Sequence, residues 1–356
     1  MQIGITGLAG AGKTTVFNVL ARSHAQVGSF SAQPHIAVVK VPDPRLEALR
    51  DLFKPEKFTP AEVTYVDVAG VVPGSDRDRS AQVFAHLREA DVLLQVVKAF
   101  DDGTGIAPER DIADLELEFV LADLDIADRR YERLEKEVRL GKGTPAERQA
   151  QQRELEALTK IRDALQNERP ARTVELDAEE RKAVRGYGFL SAKPILILLN
   201  VAEPGADADA LVSRIAPEMK WPSTEVLALA GRLEMELMEL DAEDAAEFMK
   251  ELGIEESGLG RVIQSSYGIA DQISFFTVGE DEVRAWTIAA NLPAQLAAGA
   301  IHTDLSRGFI RAEVINWQEL LDAGSYAEAR KRGQLRSEGK GYMVQDGDIL
   351  HVLFNV

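Results

Sequence analysis

Eight residues near the amino terminus restrict this chain more than any others: Gly7-Leu8-Ala9-Gly10-Ala11-Gly12-Lys13-Thr14. They satisfy the pattern GxxxxGK[ST], whose spacing is set by a polyphosphate. Glycines let successive backbone N–H groups converge on phosphate oxygens. Lys13 has the reach for the β and γ phosphates, and the Thr14 hydroxyl is a ligand for Mg²⁺. Leu8 through Thr15 are therefore candidate nucleotide-binding residues, and Lys13 is the candidate catalytic cation. The pattern has this meaning only between a strand and a helix. Gln2 to Thr6 is a short strand-like run ahead of it. Behind it, Val16, Val19 and Leu20 give an apolar face to a helix starting near Lys13, whose positive end favours an anion.

Further short apolar runs alternate with helix-like text: Ile36 to Val41, Val63 to Val66, Val92 to Val97, Ile195 to Leu199 and Thr224 to Leu229. Several are continuous Val/Ile/Leu runs, as expected of strands buried on both faces of a parallel sheet. The fold class is therefore α/β, a doubly wound P-loop domain. Ligands bind beyond the carboxyl ends of such strands. Asp67-Val68-Ala69-Gly70 closes one run, with Asp67 placed to hold Mg²⁺ through a water and the Gly70 N–H to approach a γ-phosphate. Ras-type GTPases carry a glutamine at the next position to orient the attacking water; Val71 cannot do this. Asn200-Val201-Ala202-Glu203 occupies the place of the base-reading NKxD motif. It lacks the lysine and carries a longer carboxylate, which weakens the case for guanine. Ala230 and Gly231, just past the strand Thr224 to Leu229, complete the candidate base-side residues.

Between Val97 and Ile195 the chain is too long for one crossover. Leu117, Val120, Leu124, Ala127, Tyr131, Leu134 and Val138 follow 3–4 spacing, the stripe of a helix packed on one partner. Gly141-Lys142-Gly143 breaks the pattern, and Thr144-Pro145 reads as an N-cap and first helical residue. Leu155, Leu158, Ile161 and Leu165 then stripe a second helix, so the insertion is expected to be an antiparallel helical hairpin. After about residue 273 the text turns strand-rich: Ile273 to Val278, Val283 to Ala289, Phe309 to Ile315, and Tyr342 to Phe354 interrupted by a hairpin turn at Asp346-Gly347. The expected domains are 1–112 with 190–273, the hairpin 113–189, and a small mixed domain 274–356.

Composition narrows the function. The 356 residues contain no cysteine, which excludes disulfides and thiolate metal sites and fits a reducing, cytoplasmic compartment. No apolar run approaches the ~18 residues of a membrane span, and no secretory leader is expected. A net charge of −18 opposes non-specific attraction to DNA or RNA. The five histidines, His24, His35, His86, His302 and His351, are scattered without metal-ligand spacing and read as structural or solvated. Arg330-Lys331-Arg332, Arg336 and Lys340 form the basic cluster of the last domain, either a solvated helix end or a phosphate contact.

These residues resemble the YchF or Obg-like ATPases, a family of translation-factor-related P-loop NTPases. The resemblance rests on the P-loop, on Val41-Pro42-Asp43-Pro44-Arg45, on Ala122-Asp123-Leu124-Asp125 and on Asn200 to Glu203. It continues through Glu247 to Gly253, Glu282 to Thr287, Ala300 to Asp304, Gly308 to Val314 and the terminal Phe354-Asn355-Val356. It implies a G domain with an inserted coiled-coil hairpin and a carboxyl-terminal TGS domain of β-grasp type. It also implies preference for ATP over GTP, Mg²⁺, and association with the ribosome, with rRNA and protein of its large subunit as the expected contacts. A hydrophobic residue at the position of the GTPase glutamine, as at Val71, belongs to the same resemblance. Departures are informative. The family's GLPNVGKST is Gly-Leu-Ala-Gly-Ala-Gly-Lys-Thr-Thr here, and its glycine-rich loop after DxxG is replaced by Pro73 to Ser80. The Mg²⁺-contacting threonine of the family has only Ser31 as a weak counterpart. An ATP-hydrolysing switch is thus expected, with a GTPase, a ribosome-binding module with vestigial hydrolysis, and a small-molecule kinase as alternatives; a hairpin in place of an arginine-rich lid weighs against the last.

Overall fold

The computed structural model describes residues 1–22, 34–72, 74, 77–141, 143–219, 221–254 and 257–355. The chain opens with β1 (Gln2–Thr6), α1 (Lys13–Ala21), β2 (His35–Lys40), α2 (Pro44–Phe53), β3 (Lys57–Thr59) and β4 (Glu62–Asp67). It continues through α3 (Arg77–Glu89), β5 (Val92–Ala99) and two long helices, α4 (Pro108–Leu140) and α5 (Pro145–Gln166). Then follow α6 (Ala178–Val184), β6 (Ile195–Val201), α7 (Ala206–Ile215), β7 (Thr224–Leu229), α8 (Gly231–Glu239), α9 (Ala242–Glu251) and α10 (Gly258–Gly268). The last part comprises β8 (Gln272–Val278), β9 (Glu282–Ala289), α11 (Ala294–Ile301), α12 (Thr303–Arg307), β10 (Phe309–Asn316), α13 (Trp317–Ala323), α14 (Tyr326–Lys331), β11 (Arg336–Glu338) and β12 (Asp348–Phe354).

Two compact units result: residues 1–38 with 64–269, and residues 39–63 with 270–356. In the first unit the sheet order is β2-β4-β1-β5-β6-β7, and β1, β4, β5, β6 and β7 run parallel. The apolar runs explain this. Every residue of β6 is buried, and β5 is buried for its first six positions, because helices cover both faces. All carboxyl ends of the parallel strands therefore point to one edge, where the site lies.

The inserted hairpin forms as its spacing indicates. Val120, Ala127 and Leu134 of α4 bury against Ala157, Leu158, Ile161 and Leu165 of α5. Arg130 reaches across to Glu154 with two bonds of 2.8 and 2.9 Å. Thr144 caps α5 in a capping box with Glu147, and Pro145 is its first residue. Leu117 departs from the expected stripe: it is 39 % exposed. At this level α4 still turns Ile112, Leu115 and Phe119 to the sheet core, and the seam with α5 starts only at Val120. The expected boundary at 112/113 thus falls inside a continuous helix of 33 residues. Asp123 anchors the hairpin base: fully buried, it accepts from Arg88 (2.8 Å), the Leu190 and Ser191 N–H groups (3.1 and 2.8 Å) and the Ser191 hydroxyl (2.8 Å).

The second unit is built on a sheet of order β11-β10-β12-β8-β9-β3. A hairpin β8–β9, the parallel pair β8/β12 and the antiparallel pair β12/β10 give the β-grasp arrangement, with Ala294, Ala297 and Ala298 of α11 packed on one face. Two expectations need correction. Tyr342 to Gln345 form no strand, so Asp346-Gly347 is not a hairpin turn; it leads into β12, whose partners are β10 and β8. Residues 39–63, expected in the G domain, group with the carboxyl-terminal unit. The reasons are local: β3 pairs in parallel with β9, and Leu46 and Leu49 of α2 are fully buried. Arg45 bonds Asp43 at 2.8 and 2.9 Å, reaches Asp346, and lies over the Phe276 ring at 5.4 Å. The Val41 to Arg45 signature is therefore the clasp of this unit.

Candidate nucleotide site

The loop between β1 and α1 is shaped by its glycines. Gly12 has φ 89°, and a Cβ there would stand 2.2 Å from the Asn200 amide nitrogen. Gly7, at φ 148°, leaves 2.3 Å between such an atom and the Val96 carbonyl oxygen. Ala9 and Gly10 form the exposed crown, whereas Ala11 and Lys13 are buried. Lys13 donates from Nζ to the Leu8 carbonyl at 2.9 Å. Burial pushes its ammonium below the ordinary lysine range, an effect the Asp67 charge opposes. Gly70 lies against the loop: a Cβ there would meet Lys13 Nζ at 2.8 Å and Ala9 Cα at 3.2 Å.

Asp67 ends β4 directly beside this lysine. Its Oδ2 accepts from the Thr14 hydroxyl at 3.3 Å, while Oδ1 is buried with no hydrogen-bond partner. Burial pushes the carboxyl upward, against the pull of Lys13, Thr14 and His35. An orphaned carboxylate oxygen next to a threonine hydroxyl is the donor set that a hard divalent cation requires, so the residues fit Mg²⁺. Among the described residues no three His, Cys, Asp or Glu side chains gather as a metal cluster; the donors here are a carboxylate and a hydroxyl.

Val71 does not face the phosphate side. Its N–H donates to the Gly7 carbonyl at 3.1 Å, and its side chain, 3 % exposed, joins the core with Val68, Phe84 and Leu87. Its N–H and side chain hold the loop edge. Asn200 is likewise structural first. Its Nδ2 donates to the Ala11 carbonyl (3.0 Å) and its Oδ1 accepts from the Gly231 N–H (3.2 Å), tying the P-loop to the start of α8. Thr15 lies beside Gly231. Val201 and Ala230 meet in a pocket whose wall includes Gly205, Ala208 and Arg261, whereas Glu203 is exposed outside it. Ser31 and His24 lie outside the described residues, as does Pro73 of the altered loop.

Two neighbours escaped the sequence reading. Phe100, just past β5, approaches the P-loop, with its Cε1 3.9 Å from a Cβ built on Gly12; its position beyond a strand's carboxyl end was the available signal. His35, read as structural or solvated, has Nδ1 3.9 Å from Asp67 Oδ2. In the second unit, the basic cluster is largely neutralised. Arg330 bonds Glu313 at 3.0 Å, Lys331 and Arg332 face Glu328 at 3.5 and 3.3 Å, and Arg336 faces Asp348 at 3.5 Å.

Residues 2–128 match the family described as 50S ribosome-binding GTPase, and residues 272–355 match the YchF-GTPase carboxyl-terminal family, described as a protein of unknown function. The chain is 36 % identical over 372 residues to the ribosome-binding ATPase YchF of Bacillus subtilis, covering all of both chains. It is 38 % identical over 366 residues to that of Haemophilus influenzae, covering 100 % of this chain and 99 % of the relative. The solved Schizosaccharomyces pombe YchF GTPase is similar with a TM-score of 0.83 at 29 % identity, covering 99 % of this chain and 97 % of that one.

Proposed function

The chain belongs to the YchF family, and from that premise we propose that it is an ATP-hydrolysing molecular switch that binds the ribosome. One observation carries the hydrolytic part: the Gly7–Thr14 loop, Lys13 and the Thr14–Asp67 pair converge at one edge of the parallel sheet. The backbone N–H groups from Ala9 to Lys13 would hold the phosphates, with Lys13 Nζ leaving the Leu8 carbonyl for a β or γ oxygen. Thr14 and Asp67 would hold Mg²⁺, which when bound neutralises charge between the β and γ phosphates. The Gly70 N–H is positioned to approach the γ-phosphate, and Asn200 keeps the P-loop and the α8 start in register. Val71 carries no amide to orient the attacking water, so unassisted turnover is expected to be slow.

For the base, the reading rests on chemistry. A carboxylate facing guanine accepts from N1–H and the 2-amino group, whereas adenine offers neither donor to Glu203, which is exposed. Adenine would instead meet the backbone at Val201 and the Phe100 ring beside the P-loop. The relatives' names carry both ATPase and GTPase, so the deciding measurement is calorimetric titration of ATP and GTP, each with Mg²⁺, against the purified chain. ATP is expected to bind more tightly than GTP, because the two charge-assisted bonds that would favour guanine by about 1–3 kcal/mol are missing. A tenfold preference for GTP would sink the proposal. For the partner, the family description naming the 50S particle supports the large subunit, and a cytoplasmic location follows from that partner.

A further inference from the structure

The helix α4 runs unbroken from the sheet core to the outer end of the hairpin, and its root touches the chain that follows Gly70. There Glu118 Oε1 accepts from the Gly74 N–H at 2.9 Å. The next residue, Phe119, is fully buried and meets Phe84 of α3 edge-on, with ring centroids 5.7 Å apart and planes at 70°. One turn further, Asp123 accepts from Arg88 of α3 at 2.8 Å, and Arg88 also donates to the Gly188 carbonyl at 3.0 Å. On the side of the P-loop, the Val71 N–H donates to the Gly7 carbonyl at 3.1 Å. The chain beyond Gly70 is therefore tied to the P-loop at Val71 and to the hairpin helix at Gly74, Phe84 and Arg88. Core packing and a buried carboxylate make the last two contacts part of the fold. The Gly74–Glu118 bond differs: Gly74 is exposed, Glu118 is half-buried, and this tie lies only four residues from Gly70.

We propose that Glu118 is a positioning residue for hydrolysis: through Gly74 it sets where the Gly70 N–H stands against the γ-phosphate, and it does so from the root of the hairpin. This role presumes that Gly70 meets the γ-phosphate and that the ribosome binds the chain, as already proposed. At about 1.5 Å per residue, the stretch of α4 from Glu118 to Leu140 is a rod about 33 Å long. A partner seated on the outer hairpin tilts that rod. Phe119 and Asp123 make α3 follow it, and Glu118 carries the last step to Gly74. Because Val71 brings no amide to the water, the rate is left to how well backbone donors are placed, and a shift of about 1 Å is enough to change it strongly. The coupling is reciprocal: a γ-phosphate that draws Gly70 toward itself biases the hairpin through the same bond.

The test measures Mg-ATP hydrolysis by the full-length protein, with and without purified ribosomes, for the wild type, Glu118→Ala and Glu118→Gln. Ribosomes are expected to raise the wild-type kcat. In Glu118→Ala the ribosome-stimulated kcat should fall about tenfold or more, while KM for ATP and co-sedimentation stay within about twofold. Glutamine keeps an oxygen that accepts the same bond, so Glu118→Gln should retain about half of the stimulated rate or more. Amide exchange at Gly74 should quicken in Glu118→Ala and not in Glu118→Gln. If Glu118→Ala is stimulated like the wild type, or if ribosomes bind the wild type without changing its rate, the inference is overturned while the ribosome-binding ATPase stands. Equal losses in both variants, with a raised KM or a lowered unfolding midpoint, mark a purely structural glutamate and overturn it too. If the wild type neither hydrolyses ATP nor sediments with ribosomes, the proposed function itself falls and takes the inference with it.

Discussion

At the scale of single residues, Lys13 and Asp67 carry the signature of a site kept for function. Burial lowers the lysine and raises the carboxyl even though each stabilises the other's charge. The sign follows. A lysine whose folded pKa lies below its unfolded value penalises the folded state below that folded pKa, where it must carry charge. A carboxyl with a raised folded pKa penalises it above that value, where it must ionise. At neutral pH both penalties act. Lys13→Ala is therefore expected to leave the unfolding midpoint unchanged or slightly higher. The same change should cut ATP hydrolysis by about 10²–10³-fold, since it removes transition-state charge stabilisation. Thr14→Ala should act similarly through the cation. Single-turnover hydrolysis and thermal unfolding on the same samples check both statements. The wild-type rate without a partner is expected at roughly 10⁻⁴ to 10⁻² s⁻¹. A rate near 10 s⁻¹, or hydrolysis retained by Lys13→Ala, would move the active centre elsewhere.

Among the secondary-structure elements, the most exacting junction is the hairpin base. Four donors converge on the buried Asp123 from α3, from the loop before β6 and from Ser191 itself. Asp123→Ala would leave the buried Leu190 and Ser191 N–H groups and the Ser191 hydroxyl without their acceptor, and Arg88 with only the Gly188 and Ala122 carbonyls. Removing one partner of such a buried pair costs about 3 kcal/mol. The expected result is a denaturation midpoint lowered by that amount, together with faster proteolysis near residues 189–192. A loss under about 1 kcal/mol would show that water or other groups replace the carboxylate. The hairpin seam was readable because its apolar residues recur at helical spacing over several turns. Its lower end was not. Leu117 fits the period as well as Val120 does, and only the arrival of α5 decides which of the two is covered. Short strands were illegible for a related reason. The three residues of β3, Lys57-Phe58-Thr59, have no period of their own and are strand only because β9 presents an edge in register.

For the whole molecule, charge decides how a polyanionic partner is met. With a net charge of −18, long-range attraction does not drive association with RNA. The cluster from Arg330 to Arg336, which sequence alone left open as a phosphate contact, faces its own carboxylates. Reversing Arg330, Lys331 and Arg332 to glutamate is therefore expected to change ribosome co-sedimentation by less than about twofold. Replacing the outer hairpin, residues 130–160, by a short linker should reduce it at least tenfold. The logarithmic salt slope should correspond to a few displaced counterions, about 2–3 rather than about 7, on the scale of roughly 0.7–0.9 per contact. Strong loss in the charge-reversal variant, with the hairpin deletion silent, would assign the contact to the second unit instead.

What the sequence determined by itself was whatever repeats locally or is dictated by a ligand's shape. The P-loop spacing, the continuous apolar strands, the heptad stripe and the Thr144-Pro145 cap are all short-range patterns, and each describes a structure that a few neighbouring residues enforce. What only the tertiary structure decided depends on which distant segments meet. Val71 stands at the place of the GTPase glutamine, and only the fold shows its side chain packed in the core. Asn200 stands at the place of a base reader, and only the fold shows that its amide also ties Ala11 to Gly231. His35 looked solitary, yet the start of β2 sets it beside Asp67. Residues 39–63 looked like part of the first domain, yet Arg45, α2 and β3 find their partners more than two hundred residues away. In each case the side chain's identity was plain. Its surroundings were fixed by strand order and register, and no local spacing encodes those.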